Sequence, residues 1–261
     1  ARMADTLAGA DFIAAEDTRV TLKLLNHLGL KKPMVSYYRH NTGESGAAVL
    51  SRLLAGESCA LVTDAGTPAI SDPGEELVAL CAGHGVEIVS LPGPCALVTA
   101  LACSGLPTGR FTFEGFLPTN KKNRRARLES LRGEERTMVF YEAPHKLRAT
   151  LADLADLFGP ERRISLCREL TKLHEEVLRT TLGQAAEHYS QNEPKGEFVL
   201  VVEGAPPAAP DAVTPEAALR RVEELRGAGL SLKAAARQAA EELSLPKNKL
   251  YDLALGKDLS W

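Results

Sequence analysis

The 261-residue sequence is defined first by what it lacks. No run approaches the roughly 18–20 apolar residues of a membrane span, and no stretch has the order of a secretory leader. Its five cysteines, at 59, 81, 95, 103 and 167, form no C-x-x-C pair and are odd in number. That fits a reduced cytoplasmic setting better than a disulfide scaffold, and shows no zinc spacing, so no metal is expected. The dinucleotide fingerprint G-x-G-x-x-G and the phosphate loop G-x-x-x-x-G-K-[ST] are missing, as is H-E-x-x-H. No Ser-His-Asp order and no tandem repeat is present. A formal net charge of −3 leaves no global excess of positive charge, so any nucleic-acid footprint must be local.

What is present is an ordinary globular composition, 44% apolar and 25% charged, in a length that suggests about two domains. Apolar strand patterns are expected at 11–15, 34–38, 59–63, 86–91, 137–141, 163–167 and 198–202. Between them lie helical patterns at 18–28, 46–55, 74–83, 96–104, 123–131, 145–158 and 182–190. This alternation predicts α/β architecture with largely parallel strands. The chain opens in a helical pattern, so a strand upstream of residue 1 is expected. Pattern breaks divide the chain into an α/β domain over 1–117, a second over 118–204, a proline-rich linker over 205–215, and a helical module over 216–261. In that module Ser231 is a predicted helix cap and Pro246 a helix start, which gives a helix-turn-helix outline.

Two loops invite chemistry. "LVTDAGTPAISDPG" (61–74) and "LPGPCA" (91–96) both leave an expected strand in glycine and proline. In an open parallel sheet, ligands sit beyond the carboxyl ends of the strands. Gly66 and Gly93 are free to take positive φ and let a ligand approach the backbone; Pro68, Pro92 and Pro94 stiffen the turns. The loops hold no lysine for phosphate. They suit a ligand recognised by shape and backbone groups, including a cation. Five cations, Lys121, Lys122, Arg124, Arg125 and Arg127, crowd "NKKNRRAR", a candidate RNA contact through counterion release. Lys247 and Lys249 are a second candidate contact. Asp17 and Arg19 are expected to pair at a helix start, and Arg168 with Glu169 in a structural salt bridge.

"IAAEDTR" (13–19), "DAGTPAISDPG" (64–74), "LPGPCA" (91–96), "FEGFLP" (113–118), "FYEAPHK" (140–146), "RELTK" (168–172) and "KGEFVLVVEG" (195–204) occur in the same order as in one family. Together they resemble the bacterial ribosomal RNA small subunit methyltransferase I family. That family lies within the tetrapyrrole methylase superfamily, the class III S-adenosylmethionine (SAM) methyltransferases. The resemblance implies two α/β domains of tetrapyrrole-methylase type with a cleft between them, plus a C-terminal helix-turn-helix-like module. It further implies a homodimer that methylates the ribose 2′-hydroxyl of a cytidine in the decoding region of 16S rRNA, in naked rRNA or the small ribosomal subunit. SAM would be contacted by Asp64, Ala65, Gly66, Thr67, Pro68 and Ile70 from the first loop. Pro92, Gly93, Pro94, Cys95 and Ala96 of the second would join them, and Tyr141 would close the other side. Candidate general bases are Glu114, Glu142, Glu169 and Lys172; His145 and His174 are weaker ones. The family's first strand and proline-glycine loop would precede residue 1. Two other readings stay open: a porphyrin-type C-methyltransferase and a non-catalytic RNA-binding protein.

Overall fold

The structure is a computed structural model that describes residues 2–39, 41–207, 214–243 and 245–255. It divides into two compact units, Ala1–Ala205 and Pro206–Trp261.

The first unit holds two sheets. After α1 (Arg2–Gly9), β1 (Phe12–Ala15), α2 (Thr18–His27), β2 (Met34–Ser36), α3 (Thr42–Leu54) and β3 (Cys59–Val62) build a three-stranded sheet in the order β2-β1-β3, parallel throughout. All of β1 is buried, and its side chains alternate between layers. Phe12 and Ala14 pack with Tyr37, Val49 and Leu77; Ile13 and Ala15 pack with Leu7 and Leu25. Asp17 caps α2, its side chain accepting from Arg19 N and pairing with the Arg19 guanidinium as expected.

The chain then runs through α4 (Glu75–Gly83) and α5 (Ala96–Cys103) to the second sheet. This sheet contains β4 (Phe111–Phe116), β5 (Thr137–Glu142), β6 (Arg163–Arg168), β7 (Glu176–Thr181) and β8 (Phe198–Val202), in the order β4-β5-β8-β6-β7. Helices α6 (Lys121–Ser130), α7 (Pro144–Phe158) and α8 (Leu182–Gln191) cover one face, where Met138, Phe140, Ile164, Leu166 and Leu200 form the main core. The other face, with Val139, Val199 and Val201, receives Leu97, Ala100 and Leu101 of α5. Thus the helix that follows the second glycine-proline loop packs on the second sheet.

Four expectations need correction. The 86–91 segment is not a strand: among the described residues it has no ladder partner, and Ile88 and Val89 are exposed. An apolar run alone does not satisfy backbone N–H and C=O groups. The second sheet is not largely parallel; only β4 and β5 pair in parallel, because β8 enters antiparallel between β5 and β6, and β6 turns directly back into β7. Two of its strands lack a continuous apolar run. β4, FTFEGF, is interrupted by polar residues and carries a register shift between Phe113 and Gly115, and β7 is a half-exposed edge strand, EVLRTT. The strand at 137–142 is therefore not the first of its sheet, and the residues of β4 belong with those after 118.

The second unit comprises α9 (Pro215–Gly227), α10 (Leu232–Glu242) and α11 (Lys247–Ala254) around Ala218, Val222, Ala236, Ala239 and Leu250. Thr214 and Ser231 cap the first two helices by accepting from Ala217 N and Ala234 N, and Pro246 precedes the third. Residues 208–213 of the expected linker lie outside the described residues.

Candidate functional site

The 61–74 loop leaves β3 and folds back sharply. Gly66, Ala69, Ser71 and Gly74 all have φ between 64° and 138°. For Ala69 and Ser71 this conformation costs on the order of 1 kcal/mol or more each, and it persists only where surrounding contacts impose it. One such contact joins the two loops: Thr67 Oγ1 donates to the Pro94 carbonyl at 2.9 Å. Gly93, in contrast with Gly66, is not in the left-handed region. Both glycines nevertheless present an open face. A Cβ at either would meet nothing closer than 3.9 Å, so a ligand can reach the backbone there.

β5 supplies the second junction. Leu97 N, at the start of α5, donates to Tyr141 Oη at 3.0 Å. Tyr141 is half-buried and its phenol is pushed up, mainly by burial and partly by Cys95 and Asp72, against the lowering effect of the Leu97 N–H. Its ring packs edge-on against Phe113 (5.0 Å) and Phe116 (5.6 Å). The structure thus brings together the 64–70 loop, the 92–96 loop and Tyr141 in one continuous wall. Ala65, Gly66, Pro92, Gly93, Pro94 and Ala96 are exposed along it, as are Asp64 and Ile70; Thr67, Pro68 and Cys95 are half-buried.

Three carboxylates gather at this wall, two of them beyond the sequence expectation. Glu16 follows β1 and accepts from Asp64 N at 3.2 Å. Asp72 approaches Gly66 and is pushed up to about 6, first by burial and then by Glu16 and Asp64, with Arg39 opposing. Arg39 Nη2 donates to the Ser71 carbonyl at 3.4 Å. The signal was available: Glu16 and Asp72 both lie inside the quoted motifs, at the ends of strands or in the loop. Only their mutual approach was hidden.

The expected bases sit elsewhere. Glu142 follows Tyr141, so the strand period turns it to the opposite face. There it is buried, accepting from Thr150 Oγ1 (2.6 Å) and Ala143 N (2.8 Å), with Lys146 at 3.9 Å. Glu114 is held by Arg127 of α6 at 2.6 Å. Glu169 pairs with Lys172, which also binds Glu197, each at 2.9 Å. Arg168 pairs with Glu176 and not with Glu169. All four candidates are therefore engaged in ion pairs within the fold. His145 is exposed on α7, and His174 is exposed in the β6–β7 turn.

The basic stretch also divides. Arg124 is buried against Asp153 at 2.8 Å, and Arg125 bridges Asp153 and Asp156. Burial alone would raise the Asp153 carboxyl, but the two guanidiniums hold it below the usual range. Lys121 and Lys122 are exposed at the start of α6, which Asn120 caps. On α11, Lys247 is exposed and Lys249 is half-buried. A hollow of about 790 Å³ lined by Pro107, Arg110, Glu134 and Arg136 opens at the amino end of β5, the end opposite the loops. The wall, not this hollow, lies where parallel strands present ligands.

Residues 1–186 match the family described as Tetrapyrrole (Corrin/Porphyrin) Methylases, and residues 212–258 match the RsmI C-terminal HTH domain. Solved structures agree on the fold. The methyltransferase CobJ aligns over 78% of this chain and 87% of its own, with a TM-score of 0.58 at 20% identity. Uroporphyrin-III C-methyltransferase from Thermus thermophilus, complexed with S-adenosylhomocysteine, aligns over 77% and 89% with a TM-score of 0.52 at 18% identity. The fold is that of the tetrapyrrole methylase class. Within it, ribosomal RNA small subunit methyltransferase I of Synechocystis sp. is 48% identical over 254 residues, 97% of this chain and 91% of the relative. Its counterpart from Pseudomonas aeruginosa is 45% identical over 246 residues, 93% and 86% of the two chains. The chain belongs to the ribosomal RNA small subunit methyltransferase I family.

Proposed function

We propose that this protein transfers the methyl group of SAM to the ribose 2′-hydroxyl of a cytidine in the decoding region of 16S rRNA. The observation that carries this reading is the pair of hydrogen bonds, Thr67 to Pro94 and Leu97 to Tyr141, that join two loops and a strand end into one wall. The donor set fits SAM. Gly66 and Gly93 offer open backbone, and Glu16, Asp64 and Asp72 outnumber Arg39, which favours a cationic ligand over a phosphate. SAM supplies an electrophilic methyl group when bound, and the chain must align it with the acceptor and exclude water. Asp64, Ala65, Gly66, Thr67, Pro68 and Ile70 would hold it on one side, residues 92–96 on the other, with Tyr141 locking the junction. A ribose hydroxyl releases its proton late, so a base within hydrogen-bond reach helps. Asp72 is the carboxyl suited to this, since the expected bases are tied up in ion pairs.

Lys121, Lys122 and Lys247 would contact RNA phosphates, with Arg125 and Arg127 adding charge at the edge of the patch; Arg124 serves the fold instead. The assembly would act as a homodimer, checked by its mass in solution. No helix among the described residues is long and apolar enough to cross a membrane. The porphyrin reading is disfavoured by the helical module at 212–258 and by near-full-length relatives named for ribosomal RNA. The test uses labelled SAM with small ribosomal subunits, naked 16S rRNA or uroporphyrinogen. Label is expected in the RNA, at a linkage that resists alkaline cleavage because its 2′-oxygen is blocked. Label in the macrocycle, or no calorimetric binding of SAM, would refute the proposal.

A further inference from the structure

The end of β4 carries a device that methyl-donor binding does not need. In an unbroken strand, residues three apart point to opposite faces. Phe113 and Phe116 nevertheless both pack edge-on against the same ring, Tyr141. The register shift between Phe113 and Gly115 makes this possible, with Gly115 at φ 63° taking the left-handed turn. Bulges of this kind re-aim a side chain beside functional sites. Here the re-aimed side chain is Phe116, whose residue surface stays 52% exposed although it ends in a buried-core sheet.

Phe116 is also held in place. Its ring meets Tyr141 at 5.6 Å, and Lys146 Nζ lies 5.6 Å from its centroid. Tyr141 is in turn fixed to the start of α5 through Leu97 N. Gly115 touches the 64–74 loop, since a Cβ there would sit 3.5 Å from Ser71 Oγ. An exposed, rigid aromatic ring therefore stands directly beside the wall assigned to the donor. Lys121 and Lys122 follow five and six residues later, exposed and positively charged.

Proteins that read RNA stack unpaired bases on such rings and hold the neighbouring phosphates with lysines. Chemistry on one nucleoside generally requires that it leave the stack. We propose that Phe116 is the stacking platform for the base of the target nucleoside, which sets its ribose against the 64–74 and 92–96 loops. This rests on the RNA-methylating reading above.

Three variants test it: Phe116→Ala, Phe116→Leu and Phe116→Trp, assayed for methyl transfer to small ribosomal subunits and for SAM binding by calorimetry. Loss of one base–aromatic stack corresponds to roughly 5- to 150-fold. The alanine and leucine variants should raise KM for the subunit by that factor and leave the SAM Kd unchanged, while tryptophan keeps the parent KM. Leucine separates stacking from mere apolar packing and guards against an alanine variant that fails to fold. An unaltered KM in the leucine variant, failure of tryptophan to rescue, or a parallel loss of SAM affinity would overturn the platform alone. A parent protein that binds SAM but methylates no ribosomal RNA would overturn the RNA reading and the platform with it.

Discussion

Asp72 shows how neighbours set the chemistry of one residue. Burial, Glu16 and Asp64 raise its carboxyl from 3.8 to about 6. The folded protein thus binds this proton more tightly than the unfolded chain does. The resulting stability is complete below about pH 4 and is lost as the pH climbs through 6. Asp72→Asn cannot ionise, so it should be more stable than the parent at pH 7, by about 1 kcal/mol after allowance for solvent screening, and equal to it near pH 4. Thermal melts across that range check this. The same group predicts activity that rises with pH through about 6, a limb absent from the asparagine variant. Tyr141→Phe removes the acceptor of Leu97 N, which should cost about 1 kcal/mol and weaken SAM binding in calorimetry. The resemblance pointed to Tyr141. The pairing of Asp72 with Glu16 was not legible, because residues 16 and 72 meet only when β1 and β3 lie side by side.

Among the elements, α6 divides its charges between two tasks. Its sequence, KKNRRARLES, reads as a uniform basic patch, yet Arg124 lies on the buried face one turn before Leu128 and pairs with Asp153, while Lys122 points the other way and Lys121, at the helix start, is exposed. Arg124→Ala should destabilise the protein by about 3 kcal/mol in urea unfolding, because Asp153 loses a buried partner. Lys121→Ala and Lys122→Ala should leave stability unchanged and lower the salt slope of RNA binding by about 1 each. Strand patterns behaved similarly. The buried runs of β1, β5, β6 and β8 were visible in the sequence, since continuous apolar residues mark strands covered on both faces. The polar edge β7 and the bulged β4 were not. The apolar 86–91 segment misled for the opposite reason: it has the composition of a strand but, among the described residues, no ladder partner to complete its hydrogen bonds.

The whole molecule has two units with separate cores. Every side chain in the helical cluster comes from α9, α10, α11 or their connections, and none is shared with the sheets among the described residues. A chain ending at residue 205 should therefore keep the SAM affinity and melting behaviour of the first unit while losing affinity for the small ribosomal subunit. Calorimetry and subunit co-sedimentation of that truncation, with the intact chain as control, test the division. Within the first unit, α5 couples the halves, because it begins at the 92–96 loop and packs its apolar face on the second sheet. Closure of the wall thus depends on core packing as well as on the loops themselves.

Local chemistry was enough to mark the glycine-proline loops, the helix caps at Asp17 and Ser231, the buried strands and the family to which their order belongs. Each depends on neighbours within a few residues or on motifs in sequence. Strand direction in the second sheet, the hold of Arg127 on Glu114 and of Glu197 on Lys172, and the gathering of Glu16, Asp64 and Asp72 were decided by tertiary structure alone. Those features depend on which distant segments share a face, and Coulomb and hydrogen-bond energies act over ångströms in space and not over positions along the chain.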